Sequence, residues 1–249
     1  MSLEDRLKYA EMKARHQKKL LPWYKKWWGI FILVIIGLIL IGLISSGFYI
    51  YSEINRIKSS ASQDYLKNQR QAYLDLITGP GGYTIGSQNP KINIVEFTDF
   101  ACPYCRESAA EIRELMEEYK NTAKLTIRDY PIHDNSIDLA IAARCAGEQS
   151  KYWDAYDSLF INQDNLTGTS TIQVDLESWA DYLGLDTTKF KACLTEKRYI
   201  DLVKRDYDDG NKLQIQGTPT WFVNNVPITG YYSKEKFKEL FDGILQQTK

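Results

Sequence analysis

Two cysteines three positions apart, in the run Cys102-Pro103-Tyr104-Cys105, carry the most specific chemistry in this chain. The spacing lets the thiols close a small disulfide. In the first turn of a helix, the positive end of the helix dipole stabilises whichever sulfur becomes a thiolate. Cys102, the outer of the two, is the expected nucleophile; Cys105, one turn further in and more buried, would resolve a mixed disulfide. Pro103 suits the first helical position because it has no N–H to leave unpaired. The competing use of a C-x-x-C is half of a zinc site, which wants a second close pair of ligands. Cys145 and Cys193 are 48 residues apart, and a long apolar run separates His16 from the cysteines, leaving His133. No metal site is expected.

Such a pair needs elements that fix its helix end. Ile92-Asn-Ile-Val-Glu-Phe97 reads as a buried strand. From Cys102 a helical pattern follows, with Ala109, Ile112, Leu115, Met116 and Tyr119 three and four apart. Lys124–Arg128 is the next strand, so a parallel pair with a crossover helix is expected. Residues 135–213 are helical in pattern, with Asp175 and Asp186 as expected N-caps and Cys145 and Cys193 on apolar helix faces. Tyr152, Trp153, Tyr156 and Phe160 read as core rather than a ligand platform, and His133 and Asp134 as capping or solvated residues without a catalytic part. Thr220–Val223 and Val226–Thr229, joined by Asn224-Asn225, read as a hairpin whose second strand Pro227 assigns to a sheet edge. Ser233 caps a last helix with Phe237, Leu240, Phe241, Ile244 and Leu245 on one face.

The chain has 249 residues, 44% apolar and 25% charged, which excludes a disordered, collagenous or cysteine-stapled miniprotein. Its net charge of -1 hides an asymmetry. Residues 1–26 hold eight basic and three acidic residues, net +5, leaving 23 basic and 29 acidic, net -6, for the rest. The seam is a run of 26 residues without formal charge, Trp27 to Ser52, longer than the roughly 20 needed to span a hydrocarbon core. Trp23, Tyr24, Trp27 and Trp28 on one flank, with Tyr49 and Tyr51 on the other, suit membrane interfaces. A cleaved signal peptide fits less well, because the polar leader is long and no A-x-A-like site follows. Lys18, Lys19, Lys25 and Lys26 precede the span and only Arg56 and Lys58 closely follow it, so the N-terminus is expected in the cytoplasm. The expected organisation is a basic cytoplasmic tail (1–26), a transmembrane helix (27–52), a helical stalk (53–82) closed by Gly79-Pro80-Gly81-Gly82, and an extracytoplasmic domain (83–249). A dimerising coiled coil in the stalk is disfavoured, since few heptads are sustained. Outside the cytoplasm disulfides persist, which favours a structural bridge between Cys145 and Cys193 over two buried free thiols.

The string Val95-Glu-Phe-Thr-Asp-Phe-Ala-Cys-Pro-Tyr-Cys105, the later Gly217-Thr-Pro-Thr-Trp-Phe-Val223 and the helical block between them resemble the DsbA-like branch of the thioredoxin superfamily. The resemblance covers roughly residues 85–247. It implies an α/β thioredoxin fold with a helical domain, about 134–213, inserted between its second and third strands, here behind a single N-terminal transmembrane helix. It makes Cys102 and Cys105 the redox pair and Pro219 a cis-proline facing them, with the Thr218 backbone beside Cys102 to receive an extended substrate. Glu96 matches an acidic residue that relatives bury beneath the disulfide to relay the proton of Cys105. Tyr104 stands where the strongest oxidants of the family carry an imidazole, so a milder oxidant is expected, still above thioredoxin at about -270 mV. The implied activity is donation of a disulfide to exported cysteine-containing proteins, without a cofactor of its own and without nucleic acid. The implied reoxidant is a quinone-linked membrane partner of the DsbB or vitamin K epoxide reductase type. A reductase or isomerase using the same pair, and a tethered binding or assembly module, are the alternatives.

Overall fold

The computed structural model describes residues 2–16, 25–167 and 172–247. Two compact units are present, residues 2–67 and 68–247 of the described chain. The first holds α1 (Leu3–His16) and most of α2 (Trp27–Thr78), a single uninterrupted helix. Among the described residues α2 alone is long and apolar enough to cross a membrane, with mean hydropathy 2.8 over its best 18-residue window. Only 6% of that window is buried, so it is not a core helix. Lys18, Lys19, Trp23 and Tyr24, flanking residues in the span argument, lie outside the described residues.

The second unit is built on a five-stranded sheet of order β1-β3-β2-β4-β5, from β1 (Tyr83–Gly86), β2 (Ile92–Thr98), β3 (Ala123–Asp129), β4 (Thr220–Val223) and β5 (Val226–Thr229). β2 and β3 are parallel and joined through α3 (Pro103–Glu118), the crossover expected from the pattern; the other pairs are antiparallel. Between β3 and β4 the chain forms α4 (Ser136–Gly147), α5 (Tyr152–Ile161), α6 (Gln163–Leu166), α7 (Ile172–Tyr182), α8 (Thr187–Thr195) and α9 (Ile200–Lys212). α10 (Lys234–Gln247) closes the unit, burying Phe237 and Phe241. Asn224 and Asn225 both adopt positive φ, 47° and 71°, the geometry a two-residue hairpin turn needs. Pro227 falls on the edge strand β5, where its missing N–H costs no ladder bond to a further strand.

β2 is buried on both faces, and its period-2 alternation sorts its side chains into two cores. Ile92 and Ile94 join the main cluster with α3, the inserted helices and α10; Val95 and Phe97 join a smaller one with Ile77, Tyr130, Ile215 and Phe222. By the same alternation Glu96 is carried on the side of Ile92 and Ile94. Cys145 and Cys193 are bonded as a disulfide joining α4 to α8, Cα–Cα 5.9 Å.

Three features depart from the sequence reading. β1 was not expected: four residues beside a glycine cluster carry too little pattern, and the strand is defined by pairing with β3. Asp175 does not cap α7, which begins at Ile172 and holds Asp175 within its first turn, whereas Asp186 does cap α8 by accepting from Lys189 N at 3.1 Å. A buried ion cluster was also unforeseen. Arg128 pairs with Asp206 and Asp209 at 2.8 Å each, and Arg144 with Asp129 and Asp206, tying β3 to α4 and α9. Arg128 Nη1 also donates to the carbonyls of Leu76 and Ile77, which satisfies the last turn of α2. Gly79, at φ 40°, makes room for this: a Cβ there would stand 2.1 Å from the Arg128 guanidinium.

Candidate active site

Cys102 is the N-cap residue of α3, extended at φ -79° and ψ 124°, with Pro103 at the first helical position and Cys105 one turn inside. The pair is present as thiols. The expected difference in access is smaller than the word outer suggests. Cys102 is 3% exposed and Cys105 fully buried, while Tyr104 between them is 60% exposed. The segment leading into β4 and helix α6 both reach the turn that holds Cys102. The peptide bond Thr218–Pro219 is cis, and the Cys102 Sγ donates to the Thr218 carbonyl at 3.3 Å. Gln163 on α6 donates to the carbonyls of Phe100 and Cys102 at 2.9 and 3.0 Å, clasping the strand–helix turn to the inserted helices.

The two thiols are electrostatically unlike. The Cys102 thiol is pulled down to about 5, first by the Cys105 thiol, which donates to its sulfur. Burial opposes this; the Thr218 side chain and the N–H groups of Cys105 and Tyr104 assist it. Thr218 Oγ1 is buried without a partner, so its proton is free to turn to the thiolate. Cys105 moves the other way, pushed well up by burial, by its hydrogen bond to Cys102 and by the charge of Glu96. A thiolate on Cys102 beside a thiol on Cys105 is the division of labour that exchange chemistry requires. A thiol lowered to about 5 falls between the values of roughly 7 and 3.5 that accompany reducing and strongly oxidising pairs.

Glu96 is fully buried, and burial pushes its carboxyl up to about 8, with the Thr98 and Tyr156 hydroxyls offsetting part of that rise. Its Oε2 accepts from the Tyr156 hydroxyl at 3.1 Å. Tyr156 is core, as its pattern indicates, and it also reaches the site, which pattern could not show.

A second contribution missed in the sequence is Asp99, three residues before Cys102 and 1% exposed. Its carboxylate accepts from the N–H groups of Ala101, Ile132 and His133 at 2.8 to 3.1 Å and from Ser136 Oγ. His133 Nδ1 lies 2.8 Å from the same carboxylate. Asp99 thus ties the turn that presents Cys102 to the loop after β3. His133, read from sequence as a capping or solvated residue, is part of this clasp. Among the described residues no cluster of His, Cys, Asp and Glu is arranged to hold a metal.

A strand–helix turn bearing C-x-x-C against a cis-proline, on a sheet of this order with a helical insertion, defines a thioredoxin-fold protein with a dithiol site. Residues 78–243 match the family model described as thioredoxin. The chain belongs to the thioredoxin family. It is 29% identical over 190 residues to the probable disulfide bond formation protein D of Bacillus anthracis, covering 73% of this chain and 82% of that protein. It is 32% identical over 153 residues, 60% of this chain, to a Na(+)/H(+) antiporter NhaA 3 of Salinispora tropica, and there the match spans only 22% of the relative's length. Among solved structures, BdbD from Bacillus subtilis in its oxidised form superposes with a TM-score of 0.59 at 23% identity, covering 66% of this chain and 92% of that one. The α-DsbA1 protein of Wolbachia pipientis superposes with a TM-score of 0.63 at 20% identity, covering 70% and 96%.

Proposed function

We propose that this chain is a membrane-tethered, extracytoplasmic thiol-disulfide oxidoreductase that donates the Cys102–Cys105 disulfide to exported proteins. The observation that carries the reading is the asymmetry of the pair: a lowered thiol at the helix N-cap beside the Thr218 carbonyl, and a raised, buried thiol one turn in. A stabilised Cys102 thiolate favours the dithiol form, which makes the disulfide the better oxidant.

In the forward direction a substrate thiolate attacks Cys102 Sγ, the bond to Cys105 breaks, and Cys105 leaves and takes up a proton. A second substrate thiolate then attacks the substrate sulfur of the mixed disulfide and releases Cys102 as a thiolate. Two electrons pass from substrate to enzyme. In this reading Thr218 and Pro219 present backbone to an extended substrate, Glu96 exchanges the proton of Cys105, and Pro103 and Tyr104 set the strength of the pair. The tail, span and stalk (1–26, 27–52, 53–82) hold the domain 83–249 outside the membrane. A quinone-linked membrane partner of the DsbB or vitamin K epoxide reductase type restores the disulfide.

Equilibration of the full-length protein with glutathione tests the direction: a potential well above that of thioredoxin is expected, and about -250 mV or lower would overturn the donor role. Thiol trapping in cells should find Cys102 and Cys105 mainly oxidised. A mainly reduced pair assigns the same site to a reductase or isomerase. Release of the full chain from membranes by alkaline carbonate would remove the tether.

A further inference from the structure

We infer that Tyr156 is a positioning residue for disulfide exchange: its hydroxyl orients the buried Glu96 carboxyl so that the remaining oxygen serves Cys105. This rests on Glu96 being the proton partner of Cys105. Tyr156 comes from α5 in the inserted domain, 60 residues from Glu96, and both are fully buried. Its ring meets Phe100 and Phe160 edge-on, with centroids at 5.8 and 5.0 Å, and Trp153 at a tilt, with centroids at 5.5 Å. The hydroxyl therefore has a fixed direction, and it points at Glu96 Oε2. Glu96 Oε1 is buried and takes part in no hydrogen bond of good geometry, and the buried Thr98 hydroxyl, which acts on both Glu96 and Cys105, is the side chain free to turn to either. A carboxyl that accepts from Tyr156 at Oε2 carries its own proton on the other oxygen, Oε1.

The groups acting on Glu96 are the Cys102 thiol at the N-cap of α3 and the Cys105 thiol within it, the Thr98 hydroxyl on β2 itself, and Tyr156 and Tyr152 from α5; behind Tyr152 stand Asp129 and Arg144. When Cys105 leaves Cys102 as a thiolate, the proton on Glu96 Oε1 passes to Cys105 Sγ and a carboxylate remains. Its Oε2 keeps the Tyr156 O–H, and a hydrogen bond to an ionised acceptor is roughly twice as strong as one to a neutral group. Tyr156 therefore stabilises Glu96 most at the moment its proton departs. Without it, the buried carboxylate would keep only the Thr98 hydroxyl as a side-chain donor.

The test uses the full-length protein with Tyr156→Phe, Glu96→Gln, the double variant, and 3-fluorotyrosine at position 156, a more acidic phenol of nearly the same size. The readouts are the infrared titration of the carboxyl band that Glu96→Gln abolishes, and the pH–rate profile for oxidation of a dithiol peptide. Tyr156→Phe should move the titration up by about one pH unit, slow oxidation about tenfold at neutral pH, and shift the profile by the same interval. Fluorotyrosine should move the titration down. In the Glu96→Gln background Tyr156→Phe should have no further effect on rate. A titration unmoved by either Tyr156 change, with only the melting temperature lowered, overturns the proposal and leaves Glu96 its role. A wild-type profile in Glu96→Gln overturns the role of Glu96 and, with it, that of Tyr156.

Discussion

The Cys102 thiol lies 3.3 Å from the carbonyl oxygen of Thr218, 116 residues further along the chain. A carbonyl accepts, so this contact favours the protonated sulfur, and the lowering at Cys102 has to come from donors on its other sides. Those donors are the Cys105 thiol, the Thr218 hydroxyl and the N–H groups of Cys105 and Tyr104. When Cys102 ionises, the Thr218 carbonyl loses its donor and is left as an open acceptor beside the sulfur.

Titration of the dithiol protein by ultraviolet thiolate absorbance should therefore show a midpoint near 5. Alkylation of Cys102 should be nearly independent of pH above that value and fall below it. Cys105→Ala removes the largest donor and should raise the midpoint by about one pH unit or more. A wild-type midpoint at or above about 7 would place the pair with reducing thioredoxins.

Glu96 gives stability its own pH dependence. Burial raises its folded carboxyl to about 8, from an ordinary value of 4.5, so between those values the folded state binds a proton that the unfolded state has released. Stability contributed by this group falls with rising pH across that window and is flat above it. Glu96→Gln should be more stable than wild type, by an amount that grows from pH 5 to pH 8 at about 1.4 kcal/mol for each pH unit and reaches a few kcal/mol. Parallel denaturation curves for the two proteins over this range would show that Glu96 is not held protonated.

Replacing Asp99 by Asn removes a buried charge that five donor groups converge on. Denaturant unfolding should show a loss of about 3 kcal/mol, because at least one N–H is left facing an amide N–H₂. The glutathione potential should change as well, since the turn that presents Cys102 loses its anchor. A loss under about 0.5 kcal/mol would show that Asp99 is not what fixes that turn.

Breaking the Cys145–Cys193 bridge by Cys145→Ala with Cys193→Ala should lower stability by about 4 kcal/mol for a loop of 48 residues, while Cys102 and Cys105 still exchange. Mass spectrometry of alkylated, unreduced protein checks the premise: full alkyl labelling of Cys145 would exclude the bridge.

Much of the scaffold was legible because its signals are local. Helix α3 begins where Pro103 follows Cys102, the hairpin turns where Asn224 and Asn225 can take positive φ, and the long apolar run stands out at any window. Asp186 capped as its position suggested; Asp175 did not, because helical periodicity defines a face more sharply than an end. β1 escaped because four residues next to a glycine cluster, three half-buried and one exposed, are too few to set an alternation.

The sequence by itself determined residue types and their spacing: two thiols one helical turn apart behind a strand, and, much earlier in the chain, an uncharged run of 26 residues. Those are properties of neighbours, written in residue type and order. Tertiary structure alone decided the protonation states. Cys102 is lowered by donors that include a residue 116 positions away, Glu96 is raised by being sealed into a core, and Tyr156, Asp99 and Gln163 meet the site across long stretches of chain. Proton affinity depends on burial and on what stands within a few ångströms, and neither can be counted along a chain until it has folded.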